Sequence, residues 1–245
     1  MKSSEFRDRE LVLIGTVHRD PDGAARLLKL LDREHPVAVA VEVSPYALAY
    51  RQRKGRLLQR RFIRRVKRQS QKLGVLWPGW GQIHAIQLQL LMPFEYRSAR
   101  KYCRDTGALL SCLDSSSWSK LWIQTQWEQL LSSQNVTTLF QQPPENVYEE
   151  VRKGYQFAAH LLSDPGRELV PAYLRSWTGD YQWMQREEEL ARSLRRLYDR
   201  LPEGRLVYVG GWQHLLSSPE NGTLYEWIEH LRPRRLLLSQ PPPRP

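Results

Sequence analysis

Leu11-Val12-Leu13-Ile14-Gly15-Thr16-Val17-His18 is the stretch that decides the fold class. Its four apolar residues are typical of a buried strand, and a Gly-x-x-His tetrad follows them directly. Near the other end of the chain, Leu206 to Val209 form a similar apolar run, followed by Gly210 and by a second tetrad, Gly211 to His214. In open α/β sheets the carboxyl ends of strands border the crevice that binds ligands, and glycine permits a close approach there. Both histidines are therefore candidates for one site.

These histidines also have a simpler interpretation, a tight turn followed by a side chain that forms a hydrogen bond. A third Gly-x-x-His spacing, Gly81 to His84, follows Trp77-Pro78-Gly79-Trp80 and begins a helix-like stretch, so we interpret it as coincidental. The other two tetrads share their position after a strand. A structural and a catalytic role both stay open for His18 and His214.

The stretch between the first two predicted strands indicates an α/β fold. A helix is expected to begin near Asp20-Pro21-Asp22-Gly23 and to end at His35-Pro36. Val37 to Val41 then form a continuous apolar run, typical of a parallel strand covered on both faces, and Glu42 follows it. Strand, helix and strand in this order make a βαβ unit.

Further apolar segments extend this pattern. Ala108 to Leu113 are expected to form a strand that ends at Asp114, and Arg235 to Leu238 an edge strand. We expect one domain over residues 1–239, with a central mixed β-sheet, flanking helices and extra helical insertions. The Pro-rich tail over residues 240–245 has no means of packing and is predicted to be disordered.

The composition argues against a disordered chain and against a membrane-spanning one. Of the 245 residues, 41% are hydrophobic and 10% aromatic, which is enough apolar surface to offset the entropy of folding. No uncharged apolar stretch approaches the ~20 residues of a spanning helix, and the N-terminal segment has no apolar core of a signal peptide. The only cysteines, Cys103 and Cys112, are expected to be free thiols. These features predict a soluble, cytoplasmic protein.

The formal net charge of +11 is concentrated in one segment. Between Arg51 and Lys72 lie eleven basic residues and no acidic one, and residues 46–73 have the apolar periodicity of an amphipathic helix. One interpretation is a solvated face with no partner. The other is a surface that docks on an acidic membrane, a partner protein or RNA, although the chain contains no RNA-binding motif. In the second case the protein is peripheral at the membrane or bound to that partner.

Two acidic residues are predicted to face the interior. At about 100° per residue, Glu187 falls within the apolar stripe of the helix over residues 181–201, and Arg186 lies at the edge of that stripe. The same periodicity places Glu95 on the inner side of its helix, with Arg97 close in sequence. A buried carboxylate requires a partner. These side chains are expected either to form a structural ion-pair network or to line the cleft of the histidines.

Six short motifs carry a family resemblance. They are Gly15-Thr16-Val17-His18, Val41-Glu42, Glu95-Tyr96-Arg97-Ser98-Ala99, Leu113-Asp114, Arg186-Glu187-Glu188-Glu189-Leu190-Ala191 and Gly211-Trp212-Gln213-His214. In this order they span most of the chain and resemble the TraB family, which is related to the Tiki proteins and more remotely to the ChaN and erythromycin-esterase groups. The chain departs from the family at Ser115, where an arginine is usual.

The resemblance implies a mixed-sheet α/β fold and, from the Tiki branch, a divalent-metal-dependent peptidase. The site that it implies consists of His18, Glu42, Arg186 and His214, surrounded by Gly15, Glu95, Arg97, Glu187 and Gly211. His18, His214 and Glu42 are the implied ligands of Mn²⁺, Co²⁺ or Zn²⁺. A metal of this kind activates water against a peptide or small acyl substrate, and the arginine stabilises the developing oxyanion.

Two other functions fit the same residues. In a metal-free hydrolase, as the similarity to the erythromycin-esterase group implies, one histidine is the general base, Glu42 orients it and Arg186 polarises the substrate carbonyl. In a non-catalytic binding or regulatory module, the basic helix from Arg51 to Lys72 is the working surface. We expect the metal-dependent hydrolase.

Overall fold

The structure is a computed structural model, and it describes residues 9–178, 181–201, 203–218 and 222–239. The predicted Pro-rich tail over residues 240–245 lies outside the described residues.

In the described part of the chain, five strands form one sheet. They are β1 (Arg9–Thr16), β2 (Ala38–Val41), β3 (Leu109–Cys112), β4 (Gly204–Gly211) and β5 (Arg234–Leu237), in the spatial order β3-β2-β4-β1-β5. Every neighbouring pair is parallel. The α/β class is confirmed, and β5 is the predicted edge strand. The prediction of a mixed sheet is wrong, because helical segments return the chain to the same edge of the sheet before each new strand.

Helices fill the connections between the strands. They are α1 (Gly23–Glu34), α2 (Pro45–Leu73), α3 (Gly81–Leu90), α4 (Phe94–Thr106), α5 (Ser116–Leu130), α6 (Ser133–Phe140), α7 (Val147–Leu161), α8 (Val170–Thr178), α9 (Tyr181–Arg200) and α10 (Leu224–Ile228). The basic helix predicted over residues 46–73 is α2, and Ser44 Oγ caps its N-terminus by accepting a hydrogen bond from the Ala47 amide. The inward-facing glutamates belong to α4 and α9.

The core lies on both faces of the sheet. Alternate strand residues such as Val12 and Val207 pack against α1 and the helices from α2 to α7, whereas Leu13 and Tyr208 pack against α9 and α10. Burial on both faces explains why these strands are continuous apolar runs without polar alternation. The central strands β1, β2 and β4 therefore leave mainly their ends to solvent and to polar side chains, whereas the edge strands β3 and β5 are partly exposed.

A carboxylate at the amino edge of the sheet ties three elements together. Glu34, the last residue of α1, is buried and pairs with Arg33, with Arg205 of β4 and with Arg234 of β5. The Arg33 and Arg205 guanidinium nitrogens each lie 3.1 Å from a Glu34 carboxylate oxygen. This cluster joins α1 to two strands at the edge opposite the candidate site.

The structure bears on two predictions made from composition, which concern membrane-spanning helices and the two cysteines. Among the described residues, none of the helices combines the length and the apolarity needed to cross a lipid bilayer. Cys103 and Cys112 are free thiols, as predicted, and burial raises the pKa of Cys103 to about 11.

Candidate active site

The carboxyl ends of the central strands bring His18, Glu42 and His214 together. His18 follows β1 by two residues, Glu42 directly follows β2, and His214 lies in a single 3₁₀ turn after β4. The Oε2 atom of Glu42 lies 2.9 Å from Nε2 of His214 and 3.7 Å from Nε2 of His18. One carboxylate oxygen therefore faces both imidazole rings.

Each ring is held from behind by a second carboxylate. His18 Nδ1 lies 2.9 Å from Glu95 Oε1, and His214 Nδ1 lies 2.8 Å from Glu187 Oε2. Glu95 and Glu187 are buried, as their helical positions predict. The hydroxyl of Thr16 also donates to Glu95 Oε1, and the Leu224 amide donates to Glu187 Oε2. The partners that these two glutamates require are thus the histidines.

Arg186 is the cation between two strand ends. Its Nη2 lies 2.6 Å from Glu42 Oε1, and its Nε lies 2.9 Å from Oδ1 of Asp114, which comes two residues after β3. Its guanidinium also lies 5.8 Å from the centre of the Trp183 ring. The strand ends of β1, β2, β3 and β4 each contribute one charged side chain or imidazole to the same cluster.

Arg97 does not join this cluster. It lies on the exposed face of α4, and none of the hydrogen bonds or ion pairs of the cluster described here involves it. The hypothesis of a network among Glu95, Arg97, Arg186 and Glu187 is therefore wrong in its pairing. Arg97 is two residues from Glu95, and two residues turn a helix by about 200°, so the two side chains point away from each other.

The glycines of the site are explained by close packing. A Cβ on Gly211 would lie 3.0 Å from His18 Nε2, and a Cβ on Gly15 would lie 3.0 Å from Trp212 Cα. The Gly211 amide donates to Glu42 Oε2 over 2.7 Å. Gly15 and Gly210 lie opposite each other in the parallel pair of β1 and β4. Small residues on both strands let the two histidine-bearing segments approach the same carboxylate.

Tyr208 is a site residue that the sequence analysis did not select. It is fully buried in β4, and among the described residues its hydroxyl has no hydrogen-bond partner. A Cβ on Gly210 would lie 2.3 Å from this hydroxyl and 2.9 Å from Glu42 Oε2, so both oxygens border one small region. The sequence feature that could have indicated Tyr208 is a lone hydroxyl-bearing residue in the apolar run from Leu206 to Val209.

Packing fixes the ring of His214 on two sides. The Trp183 ring stacks on it at 5.2 Å with an interplanar angle of 12°, and the Tyr208 ring meets it edge-on at 6.4 Å. His214 is almost completely buried, whereas 51% of the His18 side chain is exposed. His18 is therefore the ring that solvent or a substrate reaches.

The charges of the cluster stabilise one another. Desolvation opposes the charged form of His214, but Glu187 and Glu42 outweigh it and raise the pKa of His214 to about 10. Desolvation favours the neutral acid at Glu42, but His214 and Arg186 hold the pKa of Glu42 well below its usual value. Partial desolvation also acts against the charged form of His18, and the hydrogen bond that His18 Nδ1 donates to Glu95 overcomes it and raises the pKa of His18. The cluster alternates cations and anions.

Arg51 leaves the basic surface and turns inward. Its Nε donates to the Gln89 carbonyl over 3.2 Å, and its guanidinium lies 5.2 Å from the centre of the Trp127 ring. Burial lowers the pKa of Arg51 to about 10, against the opposite effect of the Glu95 and Asp114 carboxylates. The predicted basic block thus contains one residue that faces the interior near the site.

The donor chemistry of the cluster fits a divalent metal. Two imidazoles and a carboxylate are ligands of Zn²⁺ and related ions, and a ligating histidine usually donates its other N–H to a carboxylate, as both rings do here. Within the described ranges, no three His, Cys, Asp or Glu side chains are already spaced as a metal site. The contact between His214 and Glu42 has the length of a charged hydrogen bond, so a metal must displace the proton between them.

The chain matches no protein-family model and no curated protein. The geometry of the cluster is what carries a functional assignment.

Proposed function

We propose that the chain is a TraB-like hydrolase that uses a divalent metal ion to cleave a peptide or related acyl bond. The observation that carries this proposal is the convergence of two imidazole Nε2 atoms on one oxygen of Glu42, with each Nδ1 held by a buried carboxylate. Structural ion pairs do not require both rings to aim the same nitrogen at one point. Metal ligands do.

His18 and His214, through Nε2, and Glu42, through Oε2, are the residues that would hold the metal. When bound, a divalent ion supplies an acidified water and polarises a carbonyl. Glu95 and Glu187 keep the Nδ1 protons in place and leave the Nε2 lone pairs for ligation. Gly211 keeps the space beside His18 Nε2 free of a side chain, and Gly15 lets the turn that carries His214 approach β1 closely at Trp212.

Arg186 has two roles in this proposal. Its contacts with Glu42 and Asp114 fix the orientation of the Glu42 carboxylate. Its Nη1 forms no hydrogen bond with the described residues, so it is the guanidinium nitrogen left to donate to a substrate oxygen. An arginine aimed at a developing oxyanion stabilises the transition state more than the ground state.

A metal-free hydrolase is the second candidate, and the exposure of His18 favours it. A half-exposed imidazole with its Nδ1 fixed by Glu95 presents Nε2 to solvent, as a general base for water must. In this version His214 stays an imidazolium between Glu42 and Glu187 and acts by positioning Glu42. The same side chains thus serve two hydrolytic mechanisms that differ in the need for a metal.

Peptide cleavage followed by mass spectrometry tests the function. We expect the purified protein, supplied with Mn²⁺, Co²⁺ or Zn²⁺, to cleave members of a synthetic peptide mixture, and His18→Ala to abolish cleavage. The control is His84→Ala, because His84 belongs to the third Gly-x-x-His spacing and lies exposed on α3. Cleavage by His18→Ala at the wild-type rate would overturn the proposal.

Calorimetric titration of the same metals separates the two mechanisms. Binding to wild type and to His84→Ala, and loss of binding in the variant that combines His18→Ala with His214→Ala, supports the metal-dependent mechanism. Cleavage that depends on His18 but persists with a chelator supports the metal-free one.

A further inference from the structure

The outward face of α2 is a continuous basic surface. Ten of its basic residues are exposed, and none of them forms an ion pair with the described residues. They are Arg53, Lys54, Arg56, Arg60, Arg61, Arg64, Arg65, Lys67, Arg68 and Lys72. From Val43 to Phe94 the sequence contains no acidic residue that could neutralise them. We call this surface the α2 basic face.

The geometry of the helix makes the α2 basic face long and continuous. The buried residues Gly55, Phe62 and Val66 lie on the side that packs against α3, α5 and α6. At 100° per residue, the ten exposed basic residues cover about half of the circumference, centred opposite that buried side. The helix has 29 residues and is therefore about 43 Å long. A surface of this shape fits a planar or extended polyanion.

An apolar tip adjoins the α2 basic face. Leu76 is 86% exposed and comes two residues after Gly74, whose φ of 65° ends the helix. Leu73 lies five turns from Gly55 and is therefore on the same side of α2 as the buried residues. Trp77 and Trp80 follow and are each half-buried. Exposed apolar side chains next to basic ones are the pattern of segments that lie in the interface of a bilayer, where tryptophan is also favoured.

We propose that the α2 basic face and the exposed Leu76 that follows the helix dock on an anionic lipid membrane. Anionic headgroups attract the ten cations, and Leu76 enters the boundary with the acyl chains. Between Arg51 and Lys72 the exposed apolar residue of α2 is Leu57, and the aromatic residue of this segment, Phe62, is buried, so the basic segment offers no ring on which bases could stack and single-stranded RNA is less well matched.

The docked orientation has a consequence for the cleft. α2 begins at Pro45, three residues after Glu42, so the candidate site lies at one end of the docking helix. Membrane binding would hold the cleft within about one helix length of the lipid surface. Membrane docking is independent of the proposed hydrolase activity, and vesicle binding alone decides it.

Co-sedimentation with vesicles tests the proposal. We expect the protein to sediment at low salt with vesicles of phosphatidylcholine and phosphatidylserine in equal parts, and not with phosphatidylcholine alone. Combined replacement of Arg60, Arg61, Arg64 and Arg68 by Gln is expected to weaken binding by about tenfold or more. Leu76→Ser is expected to weaken the binding that persists at high salt, because the apolar contribution is not screened.

The matched control removes the same charge from the opposite side of the sheet. Arg192, Arg195, Arg196 and Arg200 are exposed on α9, and their combined replacement by Gln should leave vesicle binding unchanged. Equal losses in the α2 and α9 variants would overturn the proposal, because net charge alone would then explain binding. So would an absence of vesicle binding, or tighter binding of wild type to single-stranded RNA than to the vesicles. Leu76→Ser keeps the test decisive if the quadruple α2 variant fails to fold.

Peptide cleavage in solution distinguishes a loss of membrane docking from a loss of hydrolase activity. The α2 variants change no residue of the cleft, so we expect them to cleave soluble peptides as wild type does. A loss of vesicle binding with unchanged cleavage concerns docking alone.

Discussion

The Nε2 atom of His214 lies 2.9 Å from Oε2 of Glu42, in a contact that is almost completely shielded from water. Glu187 holds the other nitrogen of the same ring, so the imidazole is clamped between two carboxylates. His18 faces the same oxygen of Glu42 from the exposed side. The two histidines therefore have similar partners and different environments.

We expect the two histidines to differ in their effect on stability. His214→Ala removes the cation between Glu42 and Glu187, and loss of one partner from a buried ion pair costs about 3–5 kcal/mol of unfolding free energy. His18→Ala removes a half-exposed ring, and Glu95 keeps the hydrogen bond from Thr16, so the expected cost is smaller, about 1–2 kcal/mol. Chemical denaturation measures both, with His84→Ala as the control. Equal losses for the two variants would contradict the division into a buried and an accessible histidine.

Gly211→Ala is expected to impair the site more than the fold. The new methyl group would lie 3.0 Å from His18 Nε2, so the ring has to shift from its position beside Glu42 by a few tenths of an ångström. We expect peptide cleavage to fall by about tenfold or more, since small displacements of a catalytic group are costly. Gly79→Ala is the control, because a Cβ at Gly79 meets nothing within 4 Å. Unchanged cleavage by Gly211→Ala would show that the ring position is not critical.

Removal of the Tyr208 hydroxyl is expected to stabilise the protein by up to about 1 kcal/mol. This hydroxyl is buried without a partner among the described residues, and a buried unsatisfied group is destabilising. Tyr155→Phe is the matched comparison, because the Tyr155 hydroxyl donates to Asp20 Oδ2 over 3.2 Å. That variant is expected to lose about 1 kcal/mol. If denaturation shows the same loss for Tyr208→Phe, its hydroxyl is bonded to a water or ligand in the cleft.

The cluster at the amino edge of the sheet is expected to make stability depend on acid pH. Burial favours the neutral form of Glu34, but hydrogen bonds from Arg234 and Arg33 outweigh it and lower the pKa of Glu34. A carboxylate with a lowered pKa stabilises the fold above its ordinary value of 4.5, and this contribution disappears as the pH falls through the lowered pKa. Glu34→Gln should therefore be less stable than wild type by about 1–3 kcal/mol at neutral pH, with a smaller difference below pH of about 4.

Urea denaturation across this pH range measures the effect of Glu34→Gln. Glu150→Gln is the control, since Glu150 forms an exposed pair with Lys153 that is worth little. A difference between wild type and Glu34→Gln that stays constant from neutral to acid pH would contradict the role of the Glu34 charge.

The elements of the fold were predictable because local patterns determine them. The apolar runs before Gly15 and Gly210 are strands, and the periodic segments on either side of Glu95 and Glu187 are helices with these glutamates inside. Burial of a carboxylate follows from its helical position alone. The direction of β5 in the sheet does not follow from a local pattern, because it depends on the path that the chain takes after β4.

The pairing inside the site was less predictable, because it depends on residues far apart in sequence. Asp114 contacts Arg186 across 72 positions, and Tyr208 reaches the cleft only because β4 lies in the middle of the sheet. Arg51 is one of eleven basic residues in its segment, and only the packing of α2 distinguishes it. Proximity in sequence misled in the case of Arg97, which is close to Glu95 along the chain and turned away from it in space.

The position of β4 between β2 and β1 also determines when the protein can fold. Arg9 of β1 pairs with Gly204 of β4, so the first strand of the sheet is synthesised long before its central neighbour. At about 5–20 residues per second, the ribosome adds the intervening segment in roughly 10–40 s. During that time the apolar edge of β1 has no strand beside it on the β4 side, and His18 lacks the Gly211 backbone that closes the cleft. The nascent chain therefore depends on protection from aggregation until β4 emerges, and the site is assembled among the last parts of the molecule.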